Sequence, residues 1–308
     1  MKQCIAQIPL PADEVYEIQK NHLVSGNGSK RICIVSGTHG DELEGQYVCF
    51  RLQELLRQYQ DKWQGTVDIY PCLNPLGMDS ITRGVPMFDL DMNRIFPGDP
   101  KGSMVEYIAS CIMDDLTGAD LVIDIHASNI YLREIPQIRI NELQQDVLVP
   151  MGKWLNMDYI WVHSASTVLE STLAYSLNER HTPTLVVEMG VGMRITKAYG
   201  DQLCQGILNA MVQLGMMESM SLPVKKPIIS TDGQVHFLNA VCAGLFLPNV
   251  RHDHRVLKGE VIGRIVHPLE GQVRHEVVSP CSGLLFTLRE YPIVSEGSLM
   301  GRILECEG

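Results

Sequence analysis

Three short apolar runs in this 308-residue chain each end on a side chain capable of chemistry. Residues 31–39 (RICIVSGTH) close on His39, 121–126 (LVIDIH) on His126, and 184–188 (TLVVE) on Glu188. Runs this short and this continuously apolar fit strands buried on both faces of a parallel sheet. A further strand is expected at 66–72 (TVDIYPC), ending near Asn74-Pro75. The intervening segments carry a helical rhythm instead. In 42–60 the apolar positions are Leu43, Tyr47, Phe50, Leu52, Leu55 and Leu56; 104–116 and 198–217 read the same way. Strands alternating with helices predict an α/β fold, with a mixed, mostly parallel sheet flanked by helices. Sites in open sheets of this kind collect outside the carboxyl ends of the strands. His39, His126 and Glu188 all map to that edge.

Composition narrows the function classes. Hydrophobic residues are 45% and charged residues 20%, enough to bury a large core. A formal charge of −11 argues against a general nucleic-acid binder, which needs clustered Lys and Arg. No apolar run is long enough to span a bilayer as a helix, so no membrane role is expected. The amino terminus lacks a basic start followed by an apolar stretch, and the nine cysteines are scattered without a C-x-x-C pair. Both features point to thiols in the cytoplasm rather than a disulfide scaffold. Near Ser221-Leu222-Pro223 the chain changes character, and from Ile228 onward it offers short β-like runs between glycine turns. The expected division is a catalytic domain over 1–225 and a smaller all-β domain over 226–308.

The densest chemistry lies in Gly37-Thr38-His39-Gly40-Asp41-Glu42-Leu43-Glu44-Gly45. If a helical turn follows His39, its imidazole and the Glu42 carboxylate can converge on one ion. Two protein ligands hold a catalytic zinc poorly, and His126 in Asp124-Ile125-His126 is the candidate third, leaving a fourth position open for water. Taken alone, H-x-x-E recurs in many loops that bind nothing.

Further motifs change that balance. Asn74-Pro75-Leu76-Gly77 precedes Arg83, then come Asp91-Met92-Asn93-Arg94 and Val187-Glu188-Met189-Gly190. With G-T-H-G-D-E-L-E-G and D-I-H, their order over about 31–215 resembles the succinylglutamate desuccinylase/aspartoacylase family, relatives of the zinc carboxypeptidases. The trailing β segment resembles the one appended in that family. The resemblance implies one zinc per chain on His39, Glu42 and His126. Glu188 would be the general base, Arg83 the oxyanion partner, Asn93 and Arg94 the grip on a substrate carboxylate, and Asp91 the carboxylate orienting the first zinc histidine. The family's usual D-L-N-R reads D-M-N-R here, which leaves the functional side chains in place.

What this implies is a zinc-dependent deacylase acting on an N-acyl amino acid or similar small carboxylate-bearing amide. A metallocarboxypeptidase would use the same groups, and a non-catalytic carboxylate-binding protein would have no need of Glu188. The acyl group is not readable; Ala127 to Gln137, with Arg133, Glu134 and Arg139 nearby, is expected to shape its pocket as a loop. Tyr291 is a bare guess for a substrate-contacting tyrosine, and a homo-oligomer is compatible with the sequence. His252 and His254, in a polar turn read as overhanging the cleft, lack further ligands for a second metal. His163, His181, His236, His267 and His275 have no partner at ligand spacing. Cys281, in a lipoyl-like turn without a carrier lysine, has no obvious base.

Overall fold

The computed structural model describes residues 1–164, 170–219 and 223–306. Lys2–Pro9 (β1) and Val15–Ser25 (β2) pair as an antiparallel hairpin at one edge of the main sheet. Arg31–Ser36 (β3), Gly65–Tyr70 (β4) and Leu121–His126 (β5) follow; Leu132–Asn141 (β6), Tyr159–His163 (β7) and Thr184–Gly190 (β8) complete the first part of the chain. The order is β1-β2-β4-β3-β5-β8-β6, and its centre, β4-β3-β5-β8, is parallel.

Alternation along β3 explains why the sheet must be covered twice. Ile32 and Ile34 join the core beneath the helices Glu44–Gln58 (α1) and Lys197–Gln213 (α6). Cys33 and Val35 face the opposite core, built with Met104–Leu116 and Leu173–Glu179. All four side chains are fully buried. The 104–116 helix starts on a capping box, with Ser103 accepting from the Glu106 amide and Glu106 accepting from that of Ser103, which fixes its first turn. Two shorter helices, Pro75–Ser80 and Gln145–Gly152, complete the flanking layers. In chain order the helices are thus α1, then Pro75–Ser80 (α2), Met104–Leu116 (α3), Gln145–Gly152 (α4), Leu173–Glu179 (α5) and α6. None is long and apolar enough to cross a membrane among the described residues, and all nine cysteines are free thiols.

Past residue 226 the regular structure of the described chain is all strand apart from a short turn of 3-10 helix at Asp232–Gln234. Its strands are Ile228–Thr231 (β9), Val235–Asn239 (β10), Gly244–Pro248 (β11), His254–Val256 (β12), Val261–His267 (β13), Gln272–Val278 (β14), Gly283–Arg289 (β15), Ile293–Val294 (β16) and Leu299–Glu305 (β17). A separate four-stranded sheet runs β14-β13-β11-β16. The others extend the main sheet: β9 pairs with β7, while β15 pairs with the first half of β6 and carries β17 and β10 beyond it. The composition break at Ser221-Leu222, together with Met220, lies outside the described residues.

The stretch expected as a pocket loop differs. Only 127–131 is loop, and from Leu132 the chain is β6, hydrogen-bonded to β8 on one side and shared between β15 and β7 on the other. The hairpin β1-β2, strand β7 and helices α4 and α5 have no counterpart in the expectations from sequence.

Packing between α6 and the turn after α4 leaves no room for a side chain at Gly206, where an added Cβ would sit 1.9 Å from the Leu155 carbonyl oxygen. Gly206→Ala should therefore destabilise the fold by about 1–3 kcal/mol, despite alanine's better helix propensity. A urea denaturation curve with an unchanged midpoint would show that this contact relaxes freely.

Candidate active site

Three neighbouring strand ends assemble the site. In the parallel register of β5 and β8, His126 stands directly opposite Glu188. His39 follows the end of β3, the next strand over. The segment after His39 is a turn rather than the start of a helix: the Glu42 amide donates to the His39 carbonyl at 3.3 Å, and α1 begins only at Glu44. That turn lies on the backbone of α2, since a Cβ on Gly40 would fall 2.0 Å from the Gly77 carbonyl carbon. Asn74 caps α2 by accepting from the Gly77 amide at 2.9 Å and donates to the Gly84 carbonyl at 3.0 Å. The loop carrying Arg83 is thereby tied to the loop carrying His39 and Glu42.

The three expected ligands meet. His39 Nδ1 lies 2.9 Å from Glu42 Oε1, and His126 Nδ1 lies 3.0 Å from Glu42 Oε2. The two Nδ1 atoms face each other at 3.2 Å, and each of the three residues is no more than 4% exposed. The outer nitrogen of each ring is held by its own carboxylate: His39 Nε2 by Asp91 at 2.9 Å, and His126 Nε2 by Asp124 at 3.1 Å. Such pairs fix ring orientation and leave the other nitrogen pointing at a shared centre. Burial disfavours a charged imidazole at His126, yet Asp124 and Glu42 outweigh it and hold that ring well above its ordinary pKa. Burial likewise works against the Glu42 carboxylate, but His126 and His39 hold it far below the usual carboxylate range. The pocket thus favours positive charge at its centre, as a two-imidazole, one-carboxylate donor set for a divalent cation should. These residues fit a metal.

Around that centre the other expected residues take defined places. Arg83 Nη1 bonds Glu42 Oε1 at 2.7 Å, and its Nε is 3.5 Å from Asp91 Oδ2. Asp91 also accepts from the Asn93 amide at 2.9 Å, which starts the short turn carrying Asn93 and Arg94. Asn93 Oδ1 accepts from the Leu173 amide at 2.9 Å, so this turn also positions the start of α5. Arg94 donates to the Asn93 carbonyl, and its side chain is 42% exposed. Glu188 is 14% exposed, with Arg139 Nη1 at 3.3 Å from its Oε1. Burial, against the pull of Arg139, pushes the Glu188 carboxyl up to about 7, with Glu134 and Glu42 adding to the shift.

His39, Glu42, Arg83, Asn93, Arg94, His126 and Glu188 all line one cavity of about 980 Å³. Its remaining wall includes Glu134, Arg139, Trp161, His163, Phe237 and Arg302, the last two from the C-terminal strands. Sequence reasoning passed over Asp124, although its place two residues before His126 on a strand puts both on one face. It gave no role to Arg139 or Arg302. His163, treated as ordinary, lines the cavity; burial lowers its pKa to about 4, with Arg139 acting the same way.

Other expectations are corrected. The turn at His252 to Arg255 does not line this cavity: His252 Nε2 meets the Tyr199 hydroxyl at 2.6 Å, and His254 meets Glu260. The two histidines thus have separate partners. Tyr291 stacks edge-on against Tyr131, and of the two only Tyr131 lines the cavity. Arg133 faces Glu290 instead of the site. His236 is not partnerless, because it pairs with Glu305 at 2.8 Å, and Cys281 brings a third ligand atom within 4.8 Å of both, away from the cavity.

Comparisons with known proteins bear on the family and the fold. Residues 28–214 match the succinylglutamate desuccinylase/aspartoacylase catalytic domain. N-alpha-acetyl-L-2,4-diaminobutyric acid deacetylase of Halomonas elongata is 28% identical over 239 residues, 75% of this chain and 69% of that protein. The product-bound ectoine utilization protein EutE (DoeB) of Ruegeria pomeroyi superposes with a TM-score of 0.83 at 21% identity, covering 97% of this chain and 93% of that one. A succinylglutamate desuccinylase/aspartoacylase of Rhodobacter sphaeroides gives 0.81 at 23% identity, covering 99% and 96%. With the catalytic-domain match spanning well over half of its length, the chain belongs to the succinylglutamate desuccinylase/aspartoacylase family.

Proposed function

We propose that the protein is a zinc-dependent hydrolase that cleaves the amide bond of an N-acyl amino acid, or of a similar small amide bearing a carboxylate. The observation that carries this reading is the buried convergence of His39, Glu42 and His126, with Glu188 on the adjoining strand at the same sheet edge. The deacetylase relative from Halomonas elongata supports the substrate class.

In this reading His39 Nδ1, a Glu42 oxygen and His126 Nδ1 hold one zinc per chain. When bound, zinc lowers the pKa of a coordinated water to about 7 and polarises the amide carbonyl. Glu188 takes the proton from the attacking water and returns it to the leaving amine; a carboxyl raised to about 7 is well matched to both transfers near neutral pH. Arg83, beside Glu42, supplies the positive field where the carbonyl oxygen gains charge. Arg94, whose guanidinium is open to the cavity, pairs with the substrate carboxylate alongside Asn93. Residues 226–308 act as an accessory domain whose Asp232, Phe237 and Arg302 wall the cavity. A panel of N-acyl amino acids and dipeptides tests the reaction directly. Turnover confined to dipeptides would make the enzyme a carboxypeptidase, and turnover of neither would leave a binding protein.

Asp124→Asn should preserve the fold while weakening zinc binding about 10–100-fold, because the His126 ring loses its charged anchor. Competition with a chromogenic chelator reads this, and parental affinity would remove Asp124 from the site.

Arg94→Lys should raise KM strongly, since an ammonium cannot reproduce the planar fork. Converting the substrate carboxylate to an amide should cost the parent enzyme a similar amount; equal turnover of acid and amide would refute the pairing.

Glu188→Gln should keep zinc and melting temperature while kcat falls about 10²–10⁴-fold. In the parent enzyme, kcat/KM should decline as pH falls through about 7, where Glu188 gains its proton. A zinc-loaded Glu188→Gln enzyme with parental kcat would exclude it as the base.

A further inference from the structure

A general base works only if its carboxylate is aimed, and Arg139 reaches the carboxylate of Glu188. On β6 and β8, Arg139 stands opposite Val186, one diagonal step along from Glu188 on the same face. From there its Nη1 reaches Glu188 Oε1 at 3.3 Å, while its Nη2 bonds both oxygens of Glu134 at 3.0 and 2.9 Å. Glu134 is completely buried. A buried carboxylate with one cation would draw that cation fully to itself, because an uncompensated buried charge is costly. Glu134 is instead served by a second guanidinium, Arg302 Nη1 at 2.5 Å, with the Thr287 hydroxyl donating at 3.3 Å.

The sheet register builds this arrangement. Thr287 of β15 pairs with Glu134 on one side and Arg302 of β17 on the other, so the three form a cross-strand row. The Arg302 guanidinium lies over the rings of Trp161 and Phe237, 5.7 Å from each centroid. Its position is thus set by packing as well as by charge.

We propose that Arg302 is a positioning residue for Glu188, acting through Glu134 and Arg139: by sharing the charge of Glu134, it frees one arm of Arg139 to hold Glu188 in line. The inference rests on Glu188 being the general base. It gives the C-terminal strands a part in the chemistry beyond walling the cavity. A purely structural cluster would brace β6 against β15 and β17 without regard to Glu188, and the two roles separate experimentally.

The test is a double-mutant cycle on the zinc-loaded full chain, using an N-acyl amino acid that the parent hydrolyses. Arg302→Met keeps the packing against Trp161 and Phe237 but removes the charge. It should lower kcat about 10–100-fold, since small misalignments of a reacting group have effects of that order. KM should stay within about twofold, with zinc content unchanged, and Arg302→Lys should recover part of the loss. In a Glu188→Gln background, Arg302→Met should add less than about a twofold further loss, because there is no base left to aim. Should Arg302→Met fail to fold, Arg139→Lys takes its place in the cycle with the same expected pattern, as one ammonium cannot serve two carboxylates. Parental kcat in the folded variant, or equal losses in both backgrounds, would overturn the positioning role and leave Glu188 as the base. Parental kcat in Glu188→Gln alone would overturn both.

Discussion

Everything at the site depends on one carboxylate that is nearly shut off from water. Glu42 is 4% exposed, and its two oxygens lie against two different imidazoles. A charge buried this deeply persists only with close partners of opposite sign. That demand draws His39, His126 and Arg83 together from three separate segments. It also explains the outer ring of Asp91 and Asp124: each imidazole faces Glu42 on one side and takes a carboxylate on the other. A divalent cation at the centre would satisfy the same demand with fewer protons. The surrounding loops are shaped by the need to bring these groups close, as the contact between Gly40 and Gly77 shows.

The central strands were legible because burial on both faces leaves a plain signature. β3 and β5 read as apolar runs, with odd and even positions feeding separate cores. The extent of α3, from Met104 to Leu116, also followed from sequence. Strand β2 left no such trace, for Lys20 points inward and pairs with Asp68 and Asp115, which look like solvent-facing polar positions in sequence. β6 was hidden for the same reason: Glu134, Gln137 and Arg139 interrupt its pattern, and the first two are completely buried. A polar residue that is buried because a distant strand neutralises it cannot be recognised from its own neighbourhood. The candidate residues that gather at the cavity came from motifs in a fixed order. Arg302 belongs to no such motif, and only the pairing of β15 with β6 brings it within reach of Glu134.

That pairing bears on how the C-terminal strands relate to the sheet that carries the candidate site. β6 divides its free edge, giving its first residues to β15 and Gln137 to Asn141 to β7. The C-terminal segment is therefore hydrogen-bonded into the same sheet that carries the site, while β14-β13-β11-β16 stands apart from it. A rigid backbone connection of this kind can fix a side chain more closely than a packed surface can, since register sets both its position and its face.

Buried charge by itself does not mark a site, and the other end of β3 supplies the comparison. There Lys20, Arg31, Asp68, Asp115 and the Tyr70 hydroxyl form a network as dense as the one around Glu42. Lys20 and Arg31 each contact both carboxylates, and none of these residues lines the cavity. Its groups are satisfied by one another, so the network can brace the sheet but has nothing to offer a ligand. At the carboxyl end the balance differs. Glu188 has an arginine at one oxygen, a carboxyl lifted to about 7 and a face on a cavity of about 980 Å³. Perturbed acidity, incomplete pairing and access coincide at Glu188, and that coincidence separates the candidate-site end of the sheet from the braced one.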